Sequence, residues 1–261
     1  MHTPATSSDK SNDSRATVAA LHEGTFSVGL DKRFIRLSDN EPAQKASLKI
    51  SINPFLIRHE KRNILLDVGL GAFGEESHIP VLLDNLHKEG LTPDDITDIF
   101  LSHLHFDHIG GLAHRDNGYW ELTFPEAQIW LSGQEWEKLK SLGQKDFVKE
   151  QFVDFLDVHA RMQHVYDGET PFEGVHVRVI GGHTEFSLAW FITFGGLKLL
   201  NAGDVIGTRG HLTRRFAAKY DFDGRLSQDR RDELIELCRA AGYTILAYHD
   251  NHEPIIRELP E

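Results

Sequence analysis

Four side chains able to ligate a metal stand close together in the run His103-Leu104-His105-Phe106-Asp107-His108. Residues two apart on an extended segment share a face, so the rings of His103 and His105 leave the backbone together. Asp107 and His108 are neighbours and would diverge on a strand. They suit a turn, where both can point at a second centre. Imidazoles and a carboxylate at this spacing are donors for a divalent metal; the bland alternative is a solvated histidine-rich turn. Upstream, Ile99-Phe100-Leu101-Ser102 reads as the end of a buried strand. Downstream, Ile109-Gly110-Gly111-Leu112 lets the backbone pass close beside a bound ion.

Three further candidates lie far along the chain. His183 follows an alternating strand in Gly181-Gly182-His183-Thr184, Asp204 follows another in Asn201-Ala202-Gly203-Asp204, and His249 follows a third in Ala247-Tyr248-His249-Asp250. Any one of them alone reads as a surface residue. Three strand ends of this kind, added to the first cluster, argue for a common site. Asp67 also closes a strand, in Asp67-Val68-Gly69-Leu70-Gly71. It could form an Asx turn, or it could orient a metal-bound histidine from behind.

The elements that must carry these residues follow from periodicity. Residues 17–37 read as strand, turn and strand. Residues 46–58 alternate as a half-buried strand and form a hairpin with the strand that leads into Asp67. A helix is predicted over 80–89 with Gly90 as its stop, and a short helical turn opens at Thr92-Pro93. Residues 119–131 alternate loosely, and Ser132 caps the helix that follows. A second amphipathic helix is predicted over 146–162. Its Phe147, Phe152, Phe155 and Met162 are core candidates, some of which could wall an apolar pocket. Strands over 174–180, 187–194 and 197–200 follow, the last two joined by Gly195-Gly196. A helix over 230–241 carries Leu234, Ile235 and Cys238, and residues 243–248 form a last apolar strand. Two sheets covered by helices accommodate this order.

Composition bounds the rest. The chain has 261 residues, 40% of them hydrophobic, which is enough for a sizeable core. Its 28 Lys and Arg against 40 Asp and Glu give a formal charge of −12, which disfavours nucleic acid as a partner. The single cysteine, Cys238, excludes an internal disulfide and a cysteine-rich zinc knuckle. No run approaches the roughly 18 apolar residues of a membrane span. Residues 1–16 read as a disordered leader without the apolar centre of a secretory signal, and residues 17–261 as one domain. A cytoplasmic location is the expectation, and a homodimer stays open.

The set Asp67, His103-Leu104-His105-Phe106-Asp107-His108, His183, Asp204 and His249 resembles the motif series of the metallo-β-lactamase superfamily. The resemblance spans residues 67–249. It implies an α/β fold, an αβ/βα sandwich of two mixed sheets flanked by helices, with a two-metal site at one edge. Carried over motif by motif, His103, His105 and His183 would hold the first ion, and Asp107, His108 and His249 the second. Asp204 would bridge them, and Asp67 would be the outer carboxylate that steadies a ligand. Such donors suit two zinc ions, with iron, manganese or cobalt as alternatives. Two ions about 3.5–4 Å apart can share a water, lower its pKa and generate the hydroxide nucleophile. Asp107 is then the candidate for passing a proton to the leaving group.

Within the superfamily the pattern resembles the bridging-aspartate branch, which includes glyoxalase II, the quorum-quenching N-acyl homoserine lactonases, related esterases and RNA-processing nucleases. Flavodiiron proteins carry Glu at the position of His105, which disfavours oxygen-reducing iron chemistry here. Some homoserine lactonases place a Tyr three residues after the bridging Asp to hold the substrate carbonyl; this chain has Gly207 there. Tyr220 could stand in for it, or it could be a packed surface tyrosine. The expected partner is therefore a small lactone or ester. A phosphodiester, an organophosphate or a glutathione thioester is the alternative substrate, and a metal-binding protein without catalysis is the remaining one.

Overall fold

The computed structural model describes residues 15–38 and 40–260. Its larger sheet has six strands, in the spatial order β1 (Thr17–Ala20), β5 (Phe55–His59), β6 (Arg62–Leu66), β7 (Asp98–Phe100), β10 (Gln128–Ser132) and β11 (Met162–Val165). The first three pair antiparallel and the rest parallel. A second sheet has five strands in chain order, β12 (Val175–Val179), β13 (Leu188–Phe194), β14 (Leu197–Asn201), β15 (Thr244–Leu246) and β16 (Ile255–Ile256). Only its β14–β15 pair is parallel. A three-stranded sheet places β2 (Gly24–Val28) between β3 (Phe34–Arg36) and β4 (Leu48–Ile52), and β8 (Ala113–Asp116) pairs with β9 (Tyr119–Leu122).

Side chains two apart on a strand share a face, and that rule sorts the core into layers. Phe55, Ile57, Ile64, Leu66 and Phe100 of the large sheet meet Val175, Val177, Trp190, Ile192 and Leu246 of the second sheet. The residues between them, Leu56, Leu65 and Ile99, turn outward and pack with α1 (Ile79–Lys88), α3 (Gly133–Leu142) and α4 (Phe147–His159) through Leu82, Leu86, Trp136, Phe152 and Leu156. On the far face of the second sheet, Ala189, Phe191, Leu200 and Ile245 pack against Leu234, Ile235 and Cys238 of α6 (Gly224–Ala241). This is the helix–sheet–sheet–helix sandwich that the motif series implies. Two short helices, α2 (Phe106–Ile109) and α5 (Gly210–Thr213), lie at the strand ends. No helix among the described residues is long and apolar enough to cross a membrane.

Local signals fix the helix ends. The Ser132 side chain accepts from Glu135 N, and the Asp146 side chain from Val148 N and Lys149 N. Helix α6 closes on Gly242 at φ 74°, in the left-handed region that glycine enters without steric cost.

Five expectations need correction. The strand over 46–58 is two strands, because Asn53-Pro54 breaks it. Asn53 Nδ2 donates to the carbonyls of Tyr248 and Asp250, β4 joins the small sheet, and β5 alone forms the hairpin with β6. The helix over 146–162 stops at His159, since Ala160 turns extended and Met162 opens β11. The helix over 230–241 begins at Gly224, six residues early. Its buried stripe starts with the polar Ser227 and Arg231, which hide the apolar period. The strand over 243–248 ends at Leu246, and the chain returns as the unforeseen β16. The leader drawn over 1–16 lies outside the described residues as far as 14, but Ala16 is buried in the layer between the sheets and belongs to the fold.

Candidate metal centre

Each candidate ligand follows the C-terminal end of a strand, with Asp107 and His108 carried on the short helix α2 after β7, and those ends gather at one edge of the sandwich. Asp67 follows β6 with φ 54°, a left-handed conformation uncommon for a side chain other than glycine. The bend turns its carboxylate under the loop after β7. There Oδ1 accepts from Ser102 N at 2.8 Å, and Oδ2 accepts from Ser102 Oγ at 2.7 Å and from His108 Nδ1 at 2.9 Å. Ser102 Oγ uses its one O–H to donate to Asp67, so it accepts at 3.0 Å from His103 Nδ1.

The remaining histidines are held in the same way. His183 Nδ1 donates to Asp221 Oδ1 at 2.9 Å, and His249 Nδ1 donates to the Ser51 carbonyl at 2.8 Å. Each outer bond fixes the tautomer and leaves the Nε2 lone pair aimed inward, the arrangement a metal-binding imidazole requires. His105 is turned the other way round. Its Nδ1 lies 3.0 Å from His103 Nε2 and 3.1 Å from His183 Nε2, so three ring nitrogens converge on one point.

Beside that point lies a second. His108 Nε2 and His249 Nε2 stand 3.7 and 3.5 Å from Asp107 Oδ2. The Asp204 carboxylate lies between the two groups. Its Oδ2 is 3.2 Å from His183 Nε2, while its Oδ1 is 3.3 Å from His108 Nε2 and 3.1 Å from His249 Nε2. The structure thus brings together His103, His105 and His183 as one group, and Asp107, His108 and His249 as another. All candidate ligand atoms within each group lie within 4.8 Å of one another, and Asp204 counts with the first.

The electrostatics fit cations. Burial, reinforced by neighbouring imidazoles, pushes His103 well below the usual histidine range, and burial takes His105 down to about 4. Both rings therefore stay neutral, which is the state that ligates. Burial would also lower His108 and His249, but the Asp204 carboxylate, with Asp107 close by, outweighs it and raises both. Burial opposes ionisation of Asp204 too, yet His249, His183 and His108 hold it well below the carboxylate range. The buried carboxylates thus call for positive charge nearby. His108 Nε2 and Asp204 Oδ1 are buried without a hydrogen-bond partner among the described residues, a costly state that a bound cation would relieve.

Several contributors carried no signal of their own. Ser102 reads as a strand residue. Asp221 stands 38 positions from the histidine it orients. Tyr248, read as strand, stacks on His108 with ring centres 4.2 Å apart and donates from its hydroxyl to the Asp107 carbonyl at 2.8 Å. Its clue is its place immediately before His249. Cys238 is buried on α6, away from the centre, and burial pushes its thiol up to about 12.

A cleft of about 690 Å³ opens over the centre, lined by His105, Asp107, His183, Asp204 and His249 together with Gly207, His211 and Tyr220. The helix whose aromatics could have walled it does not supply its apolar side. Phe152 is core, Phe147 is exposed, Met162 lies in β11, and α4 contributes only Lys149. The wall comes instead from Val28, Phe34, Leu48 and Ile50 of the small sheet, with Phe73, Phe106 and Phe216. Lys32 and Lys49 also line the cleft. Tyr220 is half-buried and borders both this cleft and a smaller chamber beside His105 and His183.

Solved structures share the fold. A hydrolase of the beta-lactamase superfamily, AbOPH, is 24% identical with a TM-score of 0.73, covering 97% of this chain and 92% of its own. AidC, a dizinc quorum-quenching lactonase solved with a product, is 20% identical with a TM-score of 0.72, covering 92% and 89%. A probable metal-dependent hydrolase from Staphylococcus aureus is 21% identical with a TM-score of 0.71, covering 90% and 89%. No curated protein matches the chain. Residues 49–247 match the family described as the Metallo-beta-lactamase superfamily. With that match over most of the chain, and with the ligand types gathered at the strand ends of an αβ/βα sandwich, the chain belongs to the metallo-β-lactamase superfamily.

Proposed function

We propose that this metal-dependent hydrolase holds two divalent ions, zinc foremost, and uses them to open a lactone ring or cleave a carboxylic ester. The observation that carries the reading is the Asp204 carboxylate, which turns one oxygen to each group of histidines. Two ions bound there would supply Lewis acidity and an activated water.

The chain's own residues do the rest. Asp67, Ser102, Asp221 and the Ser51 carbonyl lock four imidazoles with their Nε2 lone pairs inward. Asp107 lines the cleft with its backbone anchored by the Tyr248 hydroxyl, so its carboxylate is placed to hold a proton destined for the leaving group. The apolar wall from the small sheet suits an acyl chain, and AidC, a lactonase, shares the fold. A lactone's leaving alkoxide stays tethered, so a group that protonates it favours ring opening over re-closure.

A phosphoester is the second reading. The overall charge of −12 disfavours polyanions, but Lys32, Lys49 and Lys149 all line the cleft.

Elemental analysis of metal-saturated protein beside a panel of lactones, esters, thioesters and phosphoesters at fixed zinc tests both. Two ions per chain, with a lactone or ester as the best substrate, is the expected result. One ion or none, or a phosphoester or thioester ahead by more than about tenfold in kcat/KM, overturns it.

A further inference from the structure

Two apolar spaces border the metal centre, and a substrate with a single arm would fill only one of them. The cleft over the centre is walled by the small sheet. The smaller chamber, of about 330 Å³, shares with it only His105, His183 and Tyr220 among the described residues. It therefore reaches the first group of histidines without touching the small sheet. Its walls are Leu104, Leu139 and Leu142, with Phe186 and Phe222. Leu139 and Leu142 belong to α3, and Phe222 to the loop before α6.

The charged groups on these walls are already engaged. Lys138 pairs with Glu185, and its Nζ stands 4.9 Å over the Phe222 ring. Glu135 is buried and accepts from Leu104 N at 3.2 Å. Its other oxygen has no partner among the described residues, but it is shut away from solvent. The Thr184 N–H donates to Ser187 Oγ at 2.9 Å, and the two hydroxyls lie 2.7 Å apart. What the chamber presents to a ligand is therefore chiefly hydrocarbon, the surface that an uncharged alkyl or aryl group prefers.

The walls are formed in advance. Phe222 N donates to the His183 carbonyl at 3.0 Å, and Asp223 N to the Gly182 carbonyl at 2.9 Å. These bonds tie the loop carrying Phe222 to the loop carrying His183. Helix α3 is anchored by the buried Trp136, whose Nε1 donates to Asp157 Oδ1 at 2.9 Å. The rim is nevertheless unfinished, because Leu142 is 73% exposed and Phe222 63%. Large apolar side chains facing water beside a reaction centre gain from a ligand that covers them.

We propose that the substrate carries apolar groups on both sides of its scissile bond, one lying along the small-sheet wall of the cleft and the other in the chamber between α3 and Phe222. Open-chain esters with two hydrocarbon arms fit that description. A lactone fits it only when the carbon bearing the ring oxygen is substituted as well as the acyl side. A substrate with one arm leaves one space empty and reacts more slowly. The proposal rests on the ester or lactone reading above and narrows it.

Esters of graded length test it on the zinc-loaded protein. Holding a hexanoyl arm and lengthening the alcohol from methyl to butyl should raise kcat/KM by roughly tenfold or more, since each methylene taken from water is worth up to about fourfold. Holding a hexyl alcohol and lengthening the acyl group from acetyl to pentanoyl should do the same. A gain from only one arm overturns the proposal. Leu142→Glu puts a charge at the mouth, at a position exposed enough to spare the fold, and Phe222→Ala removes a wall. Each should cut the ratio of kcat/KM between the two-armed ester and the better of its one-armed counterparts by about fivefold or more. A ratio kept in both variants also overturns it. Methyl NMR gives a readout independent of turnover. A dialkyl ketone, which cannot be hydrolysed, should shift the Leu139 and Leu142 methyl signals, and no shift overturns the chamber as a binding site. If the wild type cleaves no ester, the hydrolytic reading fails instead, and the ketone shifts alone decide whether the chamber takes an apolar arm.

Discussion

Asp67 and Glu23 both hold carboxylates at the turn that follows β6, and both are fully buried. Asp67 faces the metal side and accepts from Ser102 N, Ser102 Oγ and His108 Nδ1. Glu23 lies behind the same turn, so close that a Cβ on Gly69 would sit 1.9 Å from its Oε1. Among the described residues it accepts only from Leu70 N, at 3.1 Å, and its Oε1 has no partner. Burial accordingly pushes Glu23 up to about 8. Depth is the same in the two places and the supply of donors is not. The fold concentrates its polar partners on the side where they orient ligands, and leaves a carboxyl group on the other side that is neutral over much of the working pH range.

Substitutions at buried carboxylates put this contrast to the test, beginning with the one that faces both groups of histidines. Asp204→Asn keeps the shape and removes the charge, and should cost roughly a thousandfold in kcat/KM, about 4 kcal/mol, with fewer than two ions per chain by elemental analysis. Asp67→Ala frees the His108 ring and unpins Ser102. A 10- to 100-fold drop in metal affinity, on the order of that seen when outer partners of metal ligands are lost, is expected from a competitive chelator titration. Unchanged affinity there would make Asp67 no different from Glu23.

Glu23→Gln should leave metal content and turnover intact and change only how stability depends on pH. Its pKa is raised from 4.5 to about 8 on folding, so its contribution is fully present below 4.5 and is lost as pH rises through 8. The wild type should therefore weaken by up to about 1.4 kcal/mol per pH unit across that window, and the variant should not. Denaturant titrations at several pH values check this, and parallel pH profiles for the two proteins would contradict it. Cys238→Ala, in the helix layer beyond the second sheet, should be the mildest change. Loss of the buried sulfur should cost about 1 kcal/mol of stability and leave kcat within about twofold. A large loss of activity at full metal content would place that cysteine in the site after all.

The candidate ligands are legible because each is of a ligating type and follows a strand-forming run, and the structure gathers them at one edge of the sandwich. What stayed hidden was contributed by folding itself. Asp221 reaches His183 only because the loop before α6 folds back over it, and the Ser51 carbonyl is a backbone group that no residue type announces. The aromatics of α4 read equally as core and as pocket wall, since a helix stripe does not reveal which neighbour it meets; Phe152 spends its ring on the core. The wall strands β2, β3 and β4 were expected only as generic sheet. The early start of α6 was masked by Arg231, a buried cation whose long side chain reaches the loop around His211 rather than packing as an apolar residue would.

The clasp between Ser51 and His249 has a further consequence, for the order in which the protein is made. Ser51 N donates to the His249 carbonyl at 3.2 Å, and His249 Nδ1 returns a bond to the Ser51 carbonyl across 198 positions. A nascent chain can pair β5 with β6 and collect His103, His105 and His108 early, but it has no clasp until residue 249 has left the ribosome. Pairings so distant in sequence form slowly, since most of the chain must be ordered before they add anything. If two ions bind as proposed, uptake of the one beside His249 would therefore belong to the last stage of maturation. A metal-sensitive probe at that position would report completion of the whole chain rather than of its N-terminal half.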